Sequence, residues 1–149
     1  MQGTRSRSQG FTLTELVMVI VIATVLAAFA AARINTTSFN TEGFANQLAA
    51  SIRYAQKIAI SQRRNVMVTF AAGAVSLSYP GIGAVHQPPS ADPFTINVPS
   101  GVSLSGTLAG STVTFSALGK PTTSGTIIVS GGDISSITLT VEAETGYVH

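Results

Sequence analysis

A chain of 149 residues is about one domain long, and its 45% hydrophobic share against 9% charged residues excludes a disordered or nucleic-acid-coating composition. Eight Lys and Arg against six Asp and Glu leave a formal charge of only +2. The absence of Cys excludes a disulfide scaffold, a Cys-ligated zinc site and a thiol nucleophile.

The apolar excess is concentrated near the N-terminus, where residues 16–32 read LVMVIVIATVLAAFAAA and Thr24 is the only polar member. Counted from Phe11 to Ala32, 22 residues at about 1.5 Å each span about 33 Å as a helix, enough to cross a bilayer once. The preceding MQGTRSRSQG carries only Arg5 and Arg7 as charges. The positive-inside rule keeps that end cytoplasmic and sends the rest across. A secretory signal peptide has the same layout, with Ala28-Phe29-Ala30 as an A-x-A cleavage site. Glu15 speaks against it, because a carboxylate at membrane depth costs about 2 to 3 kcal/mol and tends to be functional.

The segment Gly10-Phe11-Thr12-Leu13-Thr14-Glu15-Leu16, followed by the apolar run, resembles the processing motif of type IV pilins and pseudopilins. The resemblance implies that prepilin peptidase cuts between Gly10 and Phe11 and methylates the Phe11 amine. It further implies assembly with other pilin or pseudopilin subunits into a filament rooted in the inner membrane. The residues are compatible with this, since a Phe11 amine and the Glu15 carboxylate stand four apart with opposite charge, and each would be expensive if buried alone. Pairing within one subunit or between neighbours relieves both costs; the family is thought to use the neighbour. Many pilins have Gly and Pro at the fourteenth and twenty-second mature positions, where this chain has Thr24 and Ala32. Without those breakers the anchor is expected to stay continuously helical.

After Arg33 the polar stretch INTTSFNTEG, interrupted by Gly43, is expected to bend or loosen as a hinge between stem and head. Phe44, Leu48, Ile52, Ala55 and Ala59 then recur at helical spacing, predicting an amphipathic helix over 41–64 with Gln47, Arg53, Gln56 and Lys57 on other faces and Asn65 as its C-cap. Alternating segments follow at 66–70 and 75–77, joined at Ala71-Ala72-Gly73, then at 94–98, 102–108, 113–116, 126–130 and 137–141. The fold class is therefore α+β: a long N-terminal transmembrane and filament-core helix, then a small, mostly antiparallel β-sheet head. The domains are a removable leader at 1–10, the helix at 11–34, and a periplasmic head at 35–149 with its sheet over 66–148. This layout is similar to H-type minor pseudopilins, FimT-like minor pilins and minor pilins of mannose-sensitive haemagglutinin systems, with echoes in IRYAQKIAISQRRNVMV, FSALGKP and ITLTVEAETGYVH.

Arg53, Lys57, Arg63 and Arg64 give the amphipathic helix four cations, which makes a DNA phosphate contact conceivable; a solvated helix face is the blander alternative. DNA-binding FimT-like proteins are associated with a Gly-Arg-x-Arg motif near the C-terminus, whereas this chain reads Glu144-Thr145-Gly146-Tyr147-Val148-His149. Removal of residues 1–10 takes two of the eight cations, leaving six against six acids and a formal charge of zero. Asp133, and Glu142 with Glu144, do not make the oxygen-rich loop that calcium needs. His86 and His149 are isolated, and no Ser lies in a G-x-S-x-G context, so no metal site, cofactor or catalytic residue is expected. The loop Tyr79 to Phe94, with aromatics at both ends, is either a contact surface or a flexible crossover. The sequence thus points to a non-enzymatic minor pilin or pseudopilin, with a FimT-like DNA-binding pilin and a secreted β protein as alternatives.

Overall fold

The computed structural model describes residues 10–31, 36–133 and 135–149, so Arg5, Arg7, Ala32 and Arg33 lie outside the described residues. The chain forms two compact units, Met1–Ile34 and Asn35–His149. In the first, α1 runs from Leu13 to Ala31 without a break. It passes through Thr24, whose hydroxyl donates to the Val21 carbonyl at 2.8 Å and so needs no partner outside the helix. Every side chain from Phe11 to Ala30 is exposed within this unit, and Leu13–Ala30 is long and apolar enough to span a membrane. A helix apolar all round requires lipid or other helices around it.

The second unit opens with α2, Thr36–Gln62. Among the described residues eight strands follow: β1 Val66–Phe70, β2 Ala74–Tyr79, β3 Gly83–Ala84, β4 Thr95–Asn97, β5 Val102–Ser105, β6 Thr112–Phe115, β7 Gly125–Gly131 and β8 Ile137–Val141. They make two antiparallel sheets. In the first, β2, β1 and β6 are neighbours in that order, and the free edge of β2 is shared by β4 at residues 74–76 and β3 at 78–79. The second is β5-β7-β8. Alternation along the strands buries Val66, Val68 and Phe70 of β1, Val113 and Phe115 of β6, and Ile127 and Val129 of β7. Against them α2 lays Phe44, Leu48, Ile52, Ala55 and Ala59, the stripe that its periodicity predicted. Each large side chain in that stripe contributes about 1.5 to 3 kcal/mol by leaving water.

Three local expectations are corrected. The helix starts at Thr36, not Thr41, and Gly43 sits inside it rather than in a hinge. Tertiary contacts outweigh the roughly 1 kcal/mol that a helical Gly costs: Thr41 is fully buried, with its Oγ1 2.8 Å from the Thr37 carbonyl and 3.1 Å from the Gly131 carbonyl of β7. The helix also stops at Gln62 rather than Arg64, and its cap is not Asn65. Arg63 turns left-handed at φ 51°, its N–H bonding to Ile60 O at 3.3 Å and that of Arg64 to Ala59 O at 3.1 Å, the paired bonds of a Schellman motif. Lastly, the 79–94 loop is not structureless. It pairs β3 with β2, bridges His86 to Pro93 and buries Val85, so it widens the first sheet.

A left-handed Arg costs about 1 to 2 kcal/mol, more than the 0.5 to 1 kcal/mol of extra chain entropy that Gly brings. Arg63→Gly should therefore stabilise the head, by a few tenths to about 1 kcal/mol. Thermal denaturation checks this, and an unchanged or lowered Tm would contradict the assigned cap.

Candidate functional site

The first candidate site is the start of α1, where Gly10, Phe11 and Glu15 were singled out. Thr12 is the N-cap: its carbonyl accepts the Leu16 N–H at 3.1 Å and its Oγ1 accepts the Glu15 N–H at 3.3 Å. Glu15 is then the third helical residue. Thr12-x-x-Glu15 is a capping-box sequence, and a carboxylate at this position also lies at the positive end of the helix dipole. That signal is local and legible in the sequence, and it gives Glu15 a role at the helix start beside any pairing. Phe11 directly precedes the cap, and both it and Gly10 are exposed on the approach to the helix. Gly10 has nothing within 4 Å of where a Cβ would sit, so its own surroundings do not demand a glycine.

The second candidate is the set of four cations, Arg53 and Lys57 one turn apart on α2 and Arg63 and Arg64 just past its end. Arg53 Nη2 donates to the Val148 carbonyl at 2.9 Å, tying the middle of the helix to the chain's last residues. The Arg64 guanidinium lies over the Tyr79 ring, 4.9 Å from its centroid, and the Tyr79 hydroxyl is 2.9 Å from Gln62 Oε1. All four are exposed, and none forms an ion pair among the described residues. Arg53 and Arg64 thus each make one contact with the head while staying exposed.

One residue expected on a solvent face has a structural task. Gln56 Nε2 donates to the carbonyls of Gly119, at 2.9 Å, and Thr145, at 2.6 Å, joining two turns far apart in sequence. Gly119 and Gly146 meet at this junction with φ of +83° and +66°, and a Cβ on Gly146 would stand 2.6 Å from Gly119 O. Lys120 and Glu144 close the same junction with a 2.8 Å ion pair. No sequence signal marks Gln56, because its partners lie 63 and 89 residues away.

The remaining acidic and His residues do not converge. Glu144 is taken by Lys120, and Glu142 Oε1 lies 3.9 Å from His149 Nε2, whose ring stacks on Tyr147. The Asp133 N–H approaches Ser38 Oγ at 3.4 Å, and His86 stands exposed in its bridge to Pro93. Among the described residues no group of three metal-ligating side chains exists. At the ends of the 79–94 loop, Tyr79 is held as above and Phe94 stacks on Tyr54 at 5.4 Å, so both aromatics serve the head's own packing.

Comparison with known proteins gives two family matches. The model for type II transport protein GspH matches residues 45–145, and that for the prokaryotic N-terminal methylation motif matches residues 5–31. Two crystal structures of the type IV minor pilin FimU of Pseudomonas aeruginosa share the fold at 19% identity. One, in space group P21, has a TM-score of 0.56 and covers 72% of this chain and 85% of that one. The other, in space group P65, has a TM-score of 0.55, with 72% and 90% covered. No curated protein matches the chain significantly.

Proposed function

From the chain's membership of the type II transport protein GspH family, whose match takes in most of the head, we propose a minor pilin or pseudopilin cut between Gly10 and Phe11 by prepilin peptidase and methylated on Phe11. In this reading it is a structural or initiating component of a type IV pilus or a type II secretion pseudopilus, and its partners are other pilin-type subunits. The observation that carries the proposal is the coincidence, inside the methylation motif, of an exposed Gly10-Phe11 junction with a capped apolar helix that has Glu15 in its first turn. The anchor sits in the inner membrane and the head in the periplasm, in keeping with Arg5 and Arg7 ahead of the span.

Chemically, cleavage replaces an amide at Phe11 with an ammonium one residue ahead of the helix cap. Glu15 then has a cation to neutralise, on its own subunit or on the next. In an apolar bundle of α1 helices the pair fixes axial register, because a shift strands both charges. The FimT-like DNA-binding reading has less support: residues 35–149 hold five cations against five acids, so the head has no net attraction for phosphate.

Intact-mass measurement of the membrane-extracted protein should give a chain starting at Phe11 with one added methyl. A start at Ala31 would establish an ordinary signal peptide instead. Glu15→Ala should still be inserted and processed but fail to enter filaments, since an unpaired Phe11 ammonium costs about 3 to 5 kcal/mol, about a hundred-fold to a few thousand-fold in association. Glu15→Gln keeps the shape and a hydrogen-bond acceptor and loses the charge, so its defect should be smaller. Co-purification with partner subunits from sheared filaments reads both, and wild-type incorporation of a correctly processed Glu15→Ala chain would eliminate the pairing mechanism. DNA titration of residues 35–149 should show weak binding. Tight, strongly salt-dependent binding lost on substituting Arg53, Lys57, Arg63 and Arg64 would favour the DNA-binding role.

A further inference from the structure

Among the described residues, the edges of the two sheets are treated unequally. The edge of β2 is covered by β4 and β3, which are only three and two residues long, and Pro93 and Pro99 flank β4. The edge of β6 is covered by the segment that follows it, through a bridge from Phe115 to Pro121 and the Thr122 N–H donating to Thr114 O at 2.8 Å. Along residues 140–142, β8 is covered by residues 147–149, with Thr140 and His149 exchanging bonds of 2.7 and 3.2 Å. Short strands, prolines and folded-back segments are common ways of blunting an edge. At the far side of the β5-β7-β8 sheet, β5 has none of them.

The hydrogen-bond pattern determines what that edge offers. Thr140 turns its N–H and C=O toward His149, so the odd-numbered residues of β8 bond to β7 through Ile127 and Val129. The even-numbered residues of β7 then face β5, where the register puts Ile128 opposite Ser105 and Ser130 opposite Ser103. Those two serines fill the ladder, and Val102 and Leu104 turn their backbone groups outward. The Val102 N–H is taken by Pro99 O at 3.1 Å. The Val102 carbonyl and both backbone groups of Leu104 have no partner among the described residues. Ser103 and Ser105 are exposed, while Val102 and Leu104 are half-buried with their side chains against the core. From Pro93 to Gly119 no side chain is charged.

We propose that β5 is a strand-addition site, which takes an extended, uncharged segment of a different protein as the outermost strand of the β5-β7-β8 sheet. The outward row is an acceptor at Val102 and a donor and an acceptor at Leu104, along a strand about 13 Å long. Such a row is complementary to another extended backbone and to little else. The lack of charge selects an uncharged segment, because an Asp or Lys laid along β5 would lose water without gaining a partner. A second copy of this chain fits the edge less well. Folded partners engage about 20 to 30 residues a side, whereas β5 against β5 matches only four. A segment that is extended on its own needs the row of bonds and the alternate side-chain contacts alone. The inference stands on the head by itself and does not depend on the chain being a filament subunit.

The test follows the Leu104 amide by NMR in the full chain, isotope-labelled at leucine and held in detergent micelles. Without peptide its hydrogen exchange should be at least about tenfold faster than that of Leu77, whose N–H bonds to Phe94 O at 3.0 Å inside the first sheet. The probe is an acetylated, amidated hexapeptide of alternating Thr and Val, N-methylated on its valines so that it keeps one bonding edge and cannot stack on itself. At saturation it should slow the exchange of Leu104 about tenfold and leave Leu77 unchanged. Methylating the threonines as well removes the remaining edge and should abolish the effect. Leu104→Pro removes the outward donor and none of the bonds to β7. This variant should keep its fold, read by the Leu77 amide, and bind a dye-labelled peptide about tenfold more weakly, the scale of one lost hydrogen bond. A Leu104 amide as slow as Leu77 in the free chain, a slowing that grows with the chain's own concentration without peptide, no slowing by the singly methylated peptide, or equal slowing by the fully methylated one would each overturn the proposal. Undiminished binding by a folded Leu104→Pro chain would do the same; if that variant does not fold, the two peptides decide.

Discussion

Everything in the head depends on one helix lying across two sheets. Neither the five-stranded sheet nor β5-β7-β8 is paired to the other by strand hydrogen bonds, and each has one apolar face to hide. The stripe Phe44, Leu48, Ile52, Ala55 and Ala59 supplies a common cover, so the valines of β1, the phenylalanines at 70 and 115 and the Ile127-Val129 pair of β7 make a single core. Small residues at 55 and 59 matter as much as large ones at 44, 48 and 52, because they let strands approach the helix backbone near its C-terminal end. The polar ties from α2, through Thr41 to Gly131, Arg53 to Val148 and Gln56 to Gly119 and Thr145, reach the second sheet and the C-terminal turns along the helix's flank.

Most of this architecture is legible in the sequence, because strands half-buried on one side write their burial as alternation. Val66, Val68 and Phe70 against Met67 and Thr69 is such a record, and so is Ile137 to Val141. The same holds for the apolar run of α1. What is not legible depends on distant partners. The first turns of α2 are polar and contain a glycine, so local propensity argues against a helix there, and only the burial of Thr41 against β7 reverses it. The short β3 is hidden in a Gly- and Pro-rich stretch, where two paired residues are too few to show a period. Arg63 as a left-handed cap follows from where the helix must stop to launch β1, which no composition rule foresees. At the candidate processing site the position is reversed, since Thr12 and Glu15 form a purely local device.

Charge is treated differently in the two units. In α1 the single carboxylate sits in the first helical turn, beside the cap, where backbone N–H groups and the helix dipole offset part of its cost even before any partner subunit is considered. In the head, charges are few and several are spent on fastening: Lys120 on Glu144, Arg53 on a carbonyl, Arg64 on an aromatic face. A chain with this little charge leaves broad Ser- and Thr-bearing strand faces, whose solubility comes from hydroxyls more than from ions.

The docking of Val148 bears on how the head is made. Its side chain is fully buried, its segment hydrogen-bonds along β8, and its carbonyl holds Arg53 from 95 residues earlier. Contacts of such long range are slow to close, because the entropy of a long loop is lost before they form. Until that end arrives, Gln56 and Arg53 lack their acceptors and the flank of α2 stays unsealed. The apolar stripe of α2 can thus settle on the sheets first, and its polar flank closes only once residues 145–148 have folded back along β8.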